Sequence, residues 1–111
     1  MVTLFEHVEN LKRFTEDTEE EIITSILHNN LVMNDNSLFS YSVDNNIFGT
    51  WLTIMWIDGD GKTIYKWIKD TVKKHKCDKV FFVSKRWKAM DRKYKELKIK
   101  PLGVLCEIGV I

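Results

Sequence analysis

The chain is sparing in the residues that would place it outside the ordinary globular class. Two cysteines, Cys77 and Cys106, are too few for the disulfide framework of a small secreted protein, and both lie in or beside apolar, strand-like segments, so free buried thiols are expected. No apolar run is long enough to span a membrane, and Met1 to Asn10 lacks the basic start and apolar centre of a signal peptide. A cytoplasmic protein without membrane association is the expectation. Neither internal repeats, linkers nor low-complexity tracts interrupt the sequence, and the one proline, Pro101, is read as a helix stop. What is present is 111 residues, 44% hydrophobic and 30% charged, a size suited to a single domain over 1–111.

The net charge of +1 conceals a polarity along the chain. Residues 1–61 carry two basic and eleven acidic side chains, whereas residues 62–100 carry fifteen basic and four acidic. The basic half could serve a polyphosphate ligand or nucleic acid, through Lys85, Arg86, Lys88, Arg92, Lys93 and Lys95 beside Trp87, or it could be neutralised within the fold by the acidic half. Because the acidic half would repel the same phosphates, tight non-specific binding to nucleic acid is not expected.

Periodicity supplies the elements. Leu4, Val8 and Leu11 fall at helical spacing, and Thr18 to Glu21 form a capping-box pattern before Ile22, Ile23, Ile26 and Leu27. The acidic run is therefore a helix start and not a metal site. Asn34 to Ser37 mark a turn, and Phe39, Tyr41 and Val43 alternate with serines as in a half-buried strand. Ile47 to Ile57 reads as a longer strand, with Gly49 a bulge or close-approach point. Ile64, Trp67, Ile68, Thr71, Val72 and His75 define one face of a helix, and Lys79 to Val83 a buried strand. Trp87, Met90, Tyr94 and Leu97 mark a last helix and Leu102 to Ile111 a last strand. A hairpin leading into a β-α-β crossover predicts an α/β fold, a mixed sheet with helices packed on it.

Between the long strand and its helix stands Asp58-Gly59-Asp60-Gly61-Lys62-Thr63. A strand that delivers a glycine-rich turn to the start of a helix presents unpaired N–H groups and a dipole that favour an anion, which points to a phosphate-bearing ligand. The string lacks the longer glycine-spaced loop of a P-loop. His75 and Cys77 have no further ligands at metal spacing and no orienting residue for a nucleophilic pair.

From about Leu38 to Ile108 the chain resembles the GNAT acetyltransferase superfamily, in which a glycine-rich loop after a strand binds the pyrophosphate of acetyl-CoA at the start of the central helix. The resemblance implies a GNAT-like, shortened fold with acetyl-CoA as cofactor. Gly59, Gly61, Lys62 and Thr63 would lie at the pyrophosphate and the backbone of Met55, Trp56 and Ile57 along the pantetheine arm. The upstream glutamine or arginine of the family loop is missing, and Asp58 and Asp60 would repel phosphates, an effect that Lys62 and the following lysines offset. Tyr94-Lys95-Glu96-Leu97-Lys98-Ile99 looks like the segment whose tyrosine protonates the departing thiolate, which makes Tyr94 the candidate general acid; its place on the Trp87, Met90, Leu97 stripe is equally that of a core aromatic. Ser84 to Trp87 stand where the family has an asparagine. Cys77, Phe81, Arg86 and Trp87 resemble the short GNAT-related proteins of bacteriophages.

Trp51 to Ile57 contains no carboxylate, so no general base is assigned; Glu21 or Asp44 would have to approach from the acidic half. One strand after the last helix, where the family has a hairpin, implies a trimmed version. Two functions follow: an N-acetyltransferase acting on an unspecified acetyl acceptor, or a catalytically inactive protein of the same fold that binds a host protein or nucleic acid. A homodimer is a further expectation.

Overall fold

The computed structural model describes residues 2–34, 36–83, 92, 98–101 and 105–109. Thr3 caps helix α1 (Leu4–Leu11) by accepting from the Glu6 amide, and α1 buries His7, Val8 and Leu11; a single 3-10 turn, Lys12–Phe14, follows. Helix α2 (Glu19–Leu27) opens with the capping box that the sequence announces. The Thr18 side chain accepts from the Glu21 amide, and the Glu21 carboxylate accepts from the Thr18 amide, both at 3.2 Å. Ile22 and Ile26 are its buried residues, whereas Leu27, assigned to the apolar face, stands exposed.

Strand β1 (Asn30–Asn34) pairs antiparallel with β2 (Ser37–Asn46), and β2 with β3 (Gly49–Asp58). β1 departs from the sequence reading, which assigned no strand between Leu27 and the turn at Asn34. The turn is shorter, with Asn36 at φ 63°, a left-handed conformation that asparagine tolerates. β3 starts two residues later than expected, because Ile47 and Phe48 form the tip of the hairpin. Gly49 closes that tip at φ 121°, where an added Cβ would stand 2.2 Å from an Asp78 carboxylate oxygen. Gly49 is thus a close-approach point. The bulge lies at Met55: Ser40 faces Trp56 while Tyr41 faces Ile54, which leaves Met55 as the extra residue.

Helix α3 (Gly61–His75) carries the chain to β4 (Lys79–Val83), parallel to β3, with Trp51 to Ile54 opposite Lys79 to Phe82. The helix ends at Lys76 in a left-handed conformation. The helix expected around Trp87, Met90, Tyr94 and Leu97 is not covered by the described residues. Beyond it come two strands and not one. β5 (Ile99–Pro101) includes the proline read as a helix stop, and β6 (Leu105–Ile108) lies between β4 and β5, antiparallel to both. The sheet order is β1-β2-β3-β4-β6-β5.

The result is an α/β fold in three layers. Leu38 and Phe39, adjacent in β2, point to opposite faces. Leu38 packs with Val8, Leu11, Ile22 and Ile26 beneath α1 and α2, while Phe39 packs with Ile64 and Ile68 of α3 and stacks on Trp67 with ring centroids 4.2 Å apart. The sheet therefore separates the two amino-terminal helices from α3.

Candidate functional site at the β3–α3 junction

The junction is built by three residues with different tasks. Asp58, the last residue of β3, turns into the fold and is 5% exposed. His7 of α1, 1% exposed, donates from Nδ1 to the Asp58 carboxylate at 2.6 Å, and the Asn10 side-chain amide donates to the same oxygen at 3.2 Å. Because a carboxylate can only accept, Nδ1 carries a hydrogen. His7 Nε2 is buried with no hydrogen-bond partner among the described residues. Asp58 was expected to oppose a phosphate at the loop; it is instead held by α1.

Gly59 adopts φ 146°, and an added Cβ would lie 2.1 Å from the Ser37 hydroxyl and 3.0 Å from its Cα. Close passage over the start of β2 requires glycine here whether or not a ligand binds. Gly61 is the first residue of α3 and has no positive φ, so its role is helical and not that of a turn glycine.

Asp60 is the N-cap of α3. Its carboxylate accepts from the Lys62 amide at 3.1 Å, the Thr63 amide at 3.3 Å and the Thr63 hydroxyl. The Thr63 hydroxyl bond above all, then the two amide bonds, holds the Asp60 carboxyl below the usual aspartate range. The chain's own carboxylate thus occupies the amides expected to hold an external anion. Lys62 is exposed and Thr63 half-buried.

Upstream, the described part of β4 ends at Val83, before the end of β3 at Asp58. The β3–β4 ladder ends at Ile54, so from Met55 to Asp58 the edge of β3 that faces β4 is unpaired among the described residues. Ile57 is buried on the α3 side, and Trp56, on the other, donates from its indole to the Ser25 hydroxyl at 2.8 Å. Met55, Trp56, Ile57, Gly59, Gly61, Lys62 and Thr63 are therefore brought into one continuous edge, loop and helix start. Tyr94, like Ser84 to Trp87, falls outside the described residues. The proposed bases do not reach the junction: Glu21 is engaged in its capping box, and Asp44 pairs with Trp51 at the opposite end of the hairpin from Asp58.

Charge is distributed by layer. Lys62, Lys66, Lys69 and Lys73 along α3, with Lys76 at its C-cap, recur at intervals of three and four residues, all exposed, and none is ion-paired with another described residue. Lys69 lies 5.3 Å from the centre of the Tyr65 ring. The described ion pairs, His7–Asp58, Lys12–Glu9 and Lys79–Glu107, do not join the acidic residues 1–61 to the basic residues 62–100.

His75 is exposed and Cys77 buried, and no metal-ligating cluster exists among the described residues. Burial raises the Cys77 thiol, with the adjacent Asp78 charge adding to the effect. No helix of the described residues is long and apolar enough to cross a membrane.

The site of interest is therefore a strand edge with no partner among the described residues, running into a self-capped helix start, a place sequence periodicity locates and the His7–Asp58 contact, 51 residues apart in sequence, secures. No family model, characterised protein or solved structure matches the chain.

Proposed function

We propose that this chain is a small GNAT-type protein that binds acetyl-CoA and transfers its acetyl group to an amine. The observation that carries the reading is the edge of β3 from Met55 onward, which has no strand partner among the described residues and leads without interruption into the amides at the start of α3. An extended ligand arm with its own amides can pair with an exposed strand edge as an added strand does. The bulge at Met55 favours this by displacing the local ladder and re-aiming the backbone beside it. The strand pair after residue 97, with β6 next to β4, also supplies the hairpin that the resemblance implies, so shortening at that end is no longer part of the reading.

In this account Lys62 and the Lys62 and Thr63 amides hold the pyrophosphate, which takes the place of the Asp60 carboxylate as their acceptor. Acetyl-CoA supplies the thioester. The acceptor amine forms the new C–N bond as the C–S bond breaks, Tyr94 gives its phenolic proton to the sulfur, and the proton shed by the amine nitrogen passes through water back to the Tyr94 phenolate. A second reading, a catalytically silent binding protein of the same fold, is favoured by the Asp60 cap, which satisfies the helix start without any ligand. Release of free thiol from acetyl-CoA in the presence of a panel of amines and lysine peptides separates the two. Turnover that falls by about 10²- to 10⁴-fold in Tyr94→Phe supports the transferase; binding without turnover supports the silent form.

A further inference from the structure

The sheet begins at β1, and among the described residues nothing pairs with its outer edge. The hairpin with β2 closes on Asn34 opposite Ser37, and hydrogen-bonded pairs alternate from there, so Asn30, Val32 and Asn34 direct their amides and carbonyls to β2. Leu31 and Met33 direct theirs outward. The strand carries no charge, no proline and no bulge, the features that usually protect such an edge. Three large apolar side chains flank it: Leu27 at the end of α2 is 65% exposed, Leu31 36% and Met33 42%. Leu31 and Met33 face Ser40 and Leu38 across the hairpin and so stand on the side of the sheet that carries α1 and α2.

The strand itself identifies the occupant. Asn30-Leu31-Val32-Met33-Asn34 reads the same in chemical kind from either end. We propose that β1 is a homodimer interface, in which two copies pair antiparallel about a two-fold axis at Val32. Val32 then lies opposite the partner's Val32, Leu31 opposite the partner's Met33, and Asn30 opposite the partner's Asn34. The two Leu31–Met33 pairs use all four outward groups of each strand in four hydrogen bonds, while Val32 forms the closer, non-bonded pair at the centre. A one-residue slip would turn the outward groups away from their partners and the apolar side chains from one another. Such an interface is self-complementary, as a two-fold dimer requires. It is also small, in the class below about 1,200 Å² that associates weakly and reversibly. The proposal is independent of acetyl-CoA binding.

Sedimentation equilibrium from about 10 μM to 1 mM, which spans the affinities of weak interfaces, should show a monomer–dimer equilibrium. Met33→Pro removes an outward N–H without touching the ladder to β2, and Leu31→Glu puts a charge into the interface from an exposed position. Each should weaken dimerisation at least tenfold with unchanged circular dichroism; should the proline variant fail to fold, Leu31→Glu alone decides. Val32→Cys should cross-link to itself under mild oxidation, since a non-bonded antiparallel pair brings the Cα atoms to about 4.5 Å, within disulfide range. Peptide mass spectrometry would place the bridge at position 32. A monomer at every concentration, a dimer indifferent to Leu31→Glu, or a bridge that does not form overturns the proposal.

Discussion

Replacing His7 by leucine tests what holds the β3–α3 junction in place. The two side chains are similar in volume, so the change opens no large cavity, but it withdraws the 2.6 Å donor from the Asp58 carboxylate and leaves only Asn10 at 3.2 Å. With Asp58 5% exposed, water cannot readily take the place of the imidazole. Breaking a buried pair from one side costs about 3–5 kcal/mol, a large part of the roughly 5–15 kcal/mol that stabilises a domain. At about 4 °C per kcal/mol for a chain of this size, the melting temperature should fall by about 12–20 °C. Urea unfolding followed by tryptophan fluorescence measures the loss directly, and an unchanged slope against urea would confirm that the denatured state is unaffected. His7→Leu made in an Asp58→Leu background should cost much less, with a coupling of about 2 kcal/mol or more between the positions. A loss below about 1 kcal/mol, or additivity within about 0.5 kcal/mol, would refute the reasoning, because distant and independent sites behave that way.

Gly59→Ala combines a left-handed backbone with a Cβ 2.1 Å from the Ser37 hydroxyl, so it should destabilise by at least about 1–3 kcal/mol in the same urea assay. Asp60→Ala should weaken α3 yet raise acetyl-CoA affinity by freeing the Lys62 and Thr63 amides, as read by calorimetry. Since the Asp60 carboxyl is held below its ordinary value of 3.8, its stabilisation is present above that pH and is lost as pH falls through the folded value. The stability difference between wild type and Asp60→Ala should accordingly narrow in acid. Cys77, buried and raised, should react with a thiol reagent at pH 8 at least about tenfold faster once urea unfolds the chain, a rate best followed in a Cys106→Ser background.

Signals confined to one element were legible in the sequence. The Thr18–Glu21 capping box, the apolar face of α3 and the valine and phenylalanine run of β4 each follow from a local period, cap or composition, and together they give the α/β class and the crossover. The glycine-bearing loop was located correctly, although Gly59 answers to Ser37 and Asp60 to the helix it caps. Other features depend on partners distant in sequence. β1 is a short run between asparagines, and only pairing with β2 makes it a strand. Ile47 and Phe48 read as strand because they are apolar, yet the hairpin register places them at its tip. Pro101 looks like a helix stop, but β5 is an edge strand, where a missing amide is tolerated. His7, on the apolar face of a short helix, carries no local sign that it will meet Asp58.

Calorimetric titration of acetyl-CoA into the purified protein tests the central claim most directly. The account predicts saturable one-to-one binding that is lost in Gly61→Val, because a branched side chain at the first residue of α3 crowds the Lys62 and Thr63 amides while leaving the fold intact. No binding up to about 1 mM, which limits the interaction to less than about 4 kcal/mol, or an affinity unchanged in Gly61→Val, would contradict it.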